Sequence, residues 1–86
     1  MAKYTYPAIL THEASAGYSI NFPDFESCYT SALNLEEGTK MARDVLRLTL
    51  CVMKERGITP PSPSDIHALS VGPNDSLALI YCEMIE

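Results

Sequence analysis

His12 stands beside Glu13, and Asp65 stands two residues before His67. Each pair joins a base to a carboxylate, the residue types of acid–base catalysis. Neighbours in an extended segment or turn point apart, and residues two apart on a helix do not face each other. Cys28 with either histidine has the makings of a thiol nucleophile and its base, but that chemistry needs a closeness in space that sequence does not provide. Asp24, Glu26 and Asp65 are candidates for the converging carboxylates of a two-metal nuclease, and of these Asp24 alone falls near a strand end. The cysteines Cys28, Cys51 and Cys82 are odd in number, form no CxxC pair and match no zinc spacing with His12 or His67. They read as semi-buried free thiols of a reducing cytoplasm. The four glycines are isolated, so there is no phosphate-cradling loop. No catalytic residue, metal ligand or cofactor is assigned.

A binding surface is the better prospect. Tyr18, Phe22, Phe25 and Tyr29 concentrate aromatic area within twelve residues, and aromatics supply contact area at little entropic cost. Core packing competes for the same side chains. The 86 residues carry a net charge of −5, with 47% apolar and 20% charged residues. That is globular composition on the scale of one small domain. It excludes a two-domain enzyme and a large enclosed cofactor cleft. It also disfavours direct nucleic-acid binding and points to a basic protein partner. No apolar run approaches the roughly 20 residues of a membrane span.

The elements that must position these residues follow from periodicity. Tyr4 to Thr11 reads as a strand with Tyr4, Tyr6, Ala8 and Leu10 on one face, and Pro7 places it at an edge or with its bond-free side outward. After a turn at 12–17, Tyr18 to Phe22 is a second strand able to form a hairpin with the first. Pro23-Asp24 breaks it, and Ser27 to Ser31 is a short third strand. Leu35 to Arg56 has helical periodicity through Leu35, Ala42, Val45, Leu46, Thr49, Leu50 and Met53, with Met41, Leu48 and Val52 widening the stripe. Asn34 is placed to cap it with Glu37 as reciprocal partner, and Gly57 to end it. Glu36–Lys40 and Lys40–Asp44 are expected ion pairs. Thr59 to Pro63 is a stiff spacer, Ser64 caps a short helical turn over Asp65 to Leu69, and Ser76 to Ile85 is the last strand. That strand is apolar on both faces, so the helix covers one side and a partner or further segment the other. The expected fold is α+β: a small antiparallel sheet, ordered strand-strand-strand-helix-short helix-strand, with one long helix on one face.

Several segments carry a family resemblance: Tyr6-Pro7-Ala8-Ile9-Leu10, Gly17 through Phe25, Cys28-Tyr29-Thr30, Leu35-Glu36-Glu37-Gly38 and Pro61-Ser62-Pro63-Ser64. Together they resemble the N-terminal domain of HicB-type antitoxins, and the resemblance spans essentially the whole chain. It implies a partial ribonuclease-H-like fold without the catalytic carboxylates. It also implies a non-enzymatic role in the cytoplasm, neutralising a small basic HicA-type toxin that degrades messenger RNA. Many members add a C-terminal ribbon-helix-helix or helix-turn-helix module that binds DNA and drives oligomerisation. No such module lies in these 86 residues, which are read as a single toxin-binding domain, either part of a longer antitoxin or a naturally short member. Two departures stand out. Glu26-Ser27 replaces the usual Pro-Gly, and Gly38 sits where alanine is common.

The expected mechanism is occlusion, in which the acidic domain covers the RNA-binding face of the nuclease. Tyr18, Phe22, Asp24, Phe25 and Glu26 are the expected contact residues. The alternatives are a metal-dependent nuclease of ribonuclease-H type and a self-association domain pairing through the edge of the first or last strand.

Overall fold

A computed structural model describes residues 2–14 and 17–84. Four strands, β1 (Ala2–Glu13), β2 (Gly17–Asn21), β3 (Tyr29–Ala32) and β4 (Asp75–Met84), form one antiparallel sheet in the order β3-β2-β1-β4. The helix α1 (Leu35–Glu55) lies on one face, and a single 3₁₀ turn (Ile66–Ala68) precedes β4. The expected α+β architecture is present, with boundaries moved by a residue or two. The last strand was expected to reach Ile85, which lies outside the described residues.

Alternation decides which side is core. Tyr6, Ala8 and Leu10 of β1, Ile20 of β2, Ala32 of β3 and Ile80 and Cys82 of β4 are buried under α1. The helix answers with Ala42, Leu46 and Leu50, spaced by four so that they form one row. Each large side chain so buried contributes about 1.5–3 kcal/mol relative to exposure.

Of the two placements expected for Pro7, the edge is excluded because the strand is interior, and the outward bond-free side is what the structure has. His12 N–H donates to the Asn74 carbonyl at 2.9 Å, so even-numbered amides of β1 point toward β4 and odd-numbered positions toward β2. The missing donor at Pro7 therefore faces the β2 side. There β2 has already ended, since its last residue Asn21 pairs with Ile9. A proline is accommodated in a central strand because the neighbouring strand is short. Where β2 runs beside it, over Ile9–Glu13, the first strand is no edge for self-association. The outer strands of the sheet are β3, with four residues, and β4, with ten.

The helix ends follow sequence logic with one change. Asn34 Oδ1 accepts the Glu37 N–H at 2.8 Å, a cap worth about 1 kcal/mol. The Glu37 carboxylate does not return to Asn34 but accepts the Leu33 N–H at 3.4 Å, one residue earlier. At the other end Ile58 N–H reaches the Met53 carbonyl and Gly57 N–H the Lys54 carbonyl, with Gly57 at φ +70°. This is a complete left-handed stop. The ion pair on the exposed face joins Arg47 to Asp44 at 3.9 Å, in place of the two expected around Lys40. The cap of the 3₁₀ turn is Asp65, not Ser64, and its carboxylate accepts the His67 N–H. At the β1–β2 turn, Gly17 has φ +84°, and a Cβ there would lie 2.1 Å from the Ala32 carbonyl oxygen. No other residue fits.

Candidate functional site

The connector from Phe22 to Cys28 is a closed loop. Phe22 N–H donates to the Cys28 carbonyl at 3.0 Å and Phe25 N–H to the Phe22 carbonyl at 3.1 Å. The loop is tied to the segment after the helix. Both carboxylate oxygens of Asp24 are engaged by Ser64, one by its N–H at 3.0 Å and the other by its hydroxyl. The Phe25 ring stands edge-on to Tyr6, with centroids 4.8 Å apart, and the Tyr6 hydroxyl donates to the Pro61 carbonyl at 2.6 Å. Burial, with Tyr4 and Asp24 nearby, pushes the Tyr6 phenol up, so it remains a donor.

This stitching holds the loop beside one flank of α1. Between them runs an open groove of about 690 Å³. Its floor is apolar, with Val45, Leu48, Val52 and Met53 from the helix and Ile58 and Pro61 from the segment beyond. Leu48 is 63% exposed and Val52 36%. Asp24, Glu26 and Arg56 supply the polar rim. The arrangement suits an apolar segment carrying positive charge, with Glu26 exposed to meet it.

The five expected contact residues separate into groups. Asp24, Phe25 and Glu26 come together at the groove, Asp24 and Phe25 half-buried and Glu26 exposed. Phe22 is 0% exposed and serves the core. Tyr18 sits at the far end of β2, about 13 Å away at ~3.3 Å per residue. It packs against the core, with its ring 5.1 Å from that of His12. Sequence reasoning did not place Leu48 and Val52 at the site. The available signal was the helical apolar stripe, broader than one sheet face requires.

The candidate catalytic pairs have other occupations. Glu13 accepts a bond from the Ser19 hydroxyl instead of meeting His12. Asp24 is held by Ser64 and Asp65 caps its own turn. Among the described residues no three His, Cys, Asp or Glu side chains are placed to hold a metal ion. Cys28 and Cys82 are fully buried and Cys51 is exposed, so none is semi-buried. Burial pushes the Cys28 thiol up, against a smaller opposing effect of Thr49. Burial does the same to Cys82, against Arg47 and Arg43. Among the described residues no helix is long and apolar enough to cross a membrane.

A model of the HicB-like antitoxins of bacterial toxin–antitoxin systems matches residues 6–82. The chain belongs to this family. The fold agrees with solved structures. A chain of a toxin–antitoxin complex from Streptococcus pneumoniae superposes with a TM-score of 0.85 at 25% identity, covering 93% of this chain and 69% of that one. A chain of a HicA3–HicB3 toxin–antitoxin complex gives 0.74 at 19% identity, covering 90% of this chain and 95% of that one. The N-terminal domain of the Burkholderia pseudomallei antitoxin HicB gives 0.76 at 16% identity, covering 94% and 100%. No curated protein matches by sequence. The antitoxin role expected from the sequence resemblance is thus supported by family and by fold.

Proposed function

We propose that this domain neutralises a small basic HicA-type toxin by docking it on the groove between α1 and the loop at Asp24–Ser27. The observation that carries the reading is this one surface in a chain of the antitoxin family: exposed Leu48 and Val52 beside the exposed carboxylate of Glu26. The structural likeness to a chain of a toxin–antitoxin complex at 25% identity supports it. The net charge of −5 favours encounter with a cationic nuclease and disfavours competition for its RNA substrate.

The action is occlusion. The apolar floor takes up a side chain or two from the toxin, Glu26 pairs with a cation at the edge, and the bound domain blocks RNA from the toxin's surface. No chemistry by the antitoxin is required, and the domain acts as a binding module in the cytoplasm. DNA contact is assigned to a separate C-terminal module of the kind the family resemblance implies.

Co-expression with a small basic HicA-type toxin tests this. The wild-type domain should restore growth and co-purify with that protein. Glu26→Lys should fold normally yet lose at least about tenfold in affinity, or ~1.4 kcal/mol. Absence of any complex with the wild-type domain would defeat the proposal. Unchanged affinity in Glu26→Lys would move the contact off this rim.

A further inference from the structure

We propose that the outer edge of β4 pairs antiparallel with β4 of a second copy, joining two four-stranded sheets into one of eight strands. The phase of the hydrogen bonds establishes what the edge offers. Even positions of β4 face β1, so the N–H and C=O groups of Leu77, Leu79 and Tyr81 point outward. Arg43 confirms the phase from outside the sheet, because its Nε donates to the Tyr81 carbonyl at 3.2 Å.

Edges left open to solvent are ordinarily blunted by a charge, a proline or a bulge. From Ser76 to Cys82 the strand itself has no charge and no proline, the cation laid on it being Arg43 of α1, and it pairs with β1 without a break in register. Leu79 is 58% exposed and Tyr81 42%, both on the face that α1 leaves uncovered.

The occupant follows from self-complementarity. Turned about a two-fold axis at Leu79, the strand sets Leu79 against Leu79 and Leu77 against Tyr81 on the open face. On the helix face it sets Ala78 against Ile80, a small residue against a large one. Cross-strand pairs of this kind are favourable, and two-fold dimers are the commonest assembly. Asp75 would meet Glu83 at either end, so like charges limit the pairing to Ser76–Cys82. About six main-chain hydrogen bonds would form. The Tyr81 carbonyl can keep Arg43 while accepting one of them, since it has two lone pairs. The toxin-binding groove is on the opposite flank of the helix, so the two surfaces do not compete.

The test uses the purified domain without toxin. Light scattering should give twice the 9.5 kDa chain mass, and the amides of Leu77, Leu79 and Tyr81 should exchange slowly with solvent. Leu79→Lys places a charge on the exposed side of the edge. It should give the single chain mass, unchanged circular dichroism and at least tenfold faster exchange at the same three amides. A wild-type domain that stays monomeric at all soluble concentrations would overturn the proposal. So would a dimer that survives Leu79→Lys. Should the variant fail to fold, fast exchange at the three amides of a wild-type dimer would overturn it independently.

Discussion

Along one flank of α1, Met41, Val45, Leu48 and Val52 continue the apolar stripe past the row that the sheet covers. Along the other, Lys40, Arg43, Arg47 and Lys54 end it. A helix on a small sheet needs only the central row of Ala42, Leu46 and Leu50 to be held. Apolar area beyond that row is costly to expose unless something binds there. The first flank opens on the groove rimmed by Glu26. The second brings Arg43 over the β4 edge and onto the Tyr81 carbonyl. One helix thus separates an apolar surface rimmed by Asp24, Glu26 and Arg56 from a flank rich in lysine and arginine.

The largest expected effect comes from removing the row between the flanks. Leu46 is fully buried, and Leu46→Ala should cost about 2–5 kcal/mol, read as the shift in a urea transition. Both surfaces depend on the seat of the helix, so groove binding and edge pairing should weaken together in this variant. A loss below ~1 kcal/mol would mean that one flank, rather than the central row, holds α1.

Next comes a paired exchange across the helix. Leu48→Lys puts a cation on the groove floor and should weaken toxin binding about tenfold or more, leaving the melting temperature within a few degrees. Arg47→Glu on the far flank should change affinity by less than about twofold. Its ion pair with Asp44 is exposed and worth ~0–1 kcal/mol. Titration calorimetry of the two variants ranks the flanks directly. The reverse ranking would assign the toxin to the basic side.

Local features were legible in the sequence because short-range physics dictates them. The cap at Asn34, the stop at Gly57 and the alternation of Tyr6, Ala8 and Leu10 all appear where spacing places them. The antitoxin family was legible from the motif set, and the match over 6–82 agrees. Long-range partners were not. Nothing near Pro7 in sequence says that β2 stops short beside it. The grip of Ser64 on Asp24 spans forty residues. The aromatic cluster was a mixed signal for the same reason. Phe22 and Phe25 are three apart, yet one enters the core and the other stands on Tyr6 at the groove. Leu48 and Val52 read as stripe wideners, and only the position of the 22–28 loop shows that nothing covers them.

The smallest effect concerns how closely α1 approaches the sheet at its first turns. Gly38 departs from the alanine common at this place in the family resemblance, and alanine is better in a helix by about 1 kcal/mol. A Cβ at Gly38 would lie 3.2 Å from Ile20 Cδ1 and 3.6 Å from Ala32 Cβ. The first contact is tight, but Cδ1 is the free end of the Ile20 side chain and needs to move only a few tenths of an ångström. Ile20 is itself enclosed in the core, so that shift offsets part of the helix gain. Gly38→Ala should therefore change stability by less than about 1 kcal/mol in either direction. Gly38→Val, bulkier in the same space, should lose ~1–3 kcal/mol. If alanine recovered the full propensity gain, the sheet beneath would be yielding, and the helix could rock to widen the groove at its other end. If alanine cost more than ~2 kcal/mol, α1 would rest on a hard stop at Ile20, and groove and β4 edge would be presented by a rigid frame.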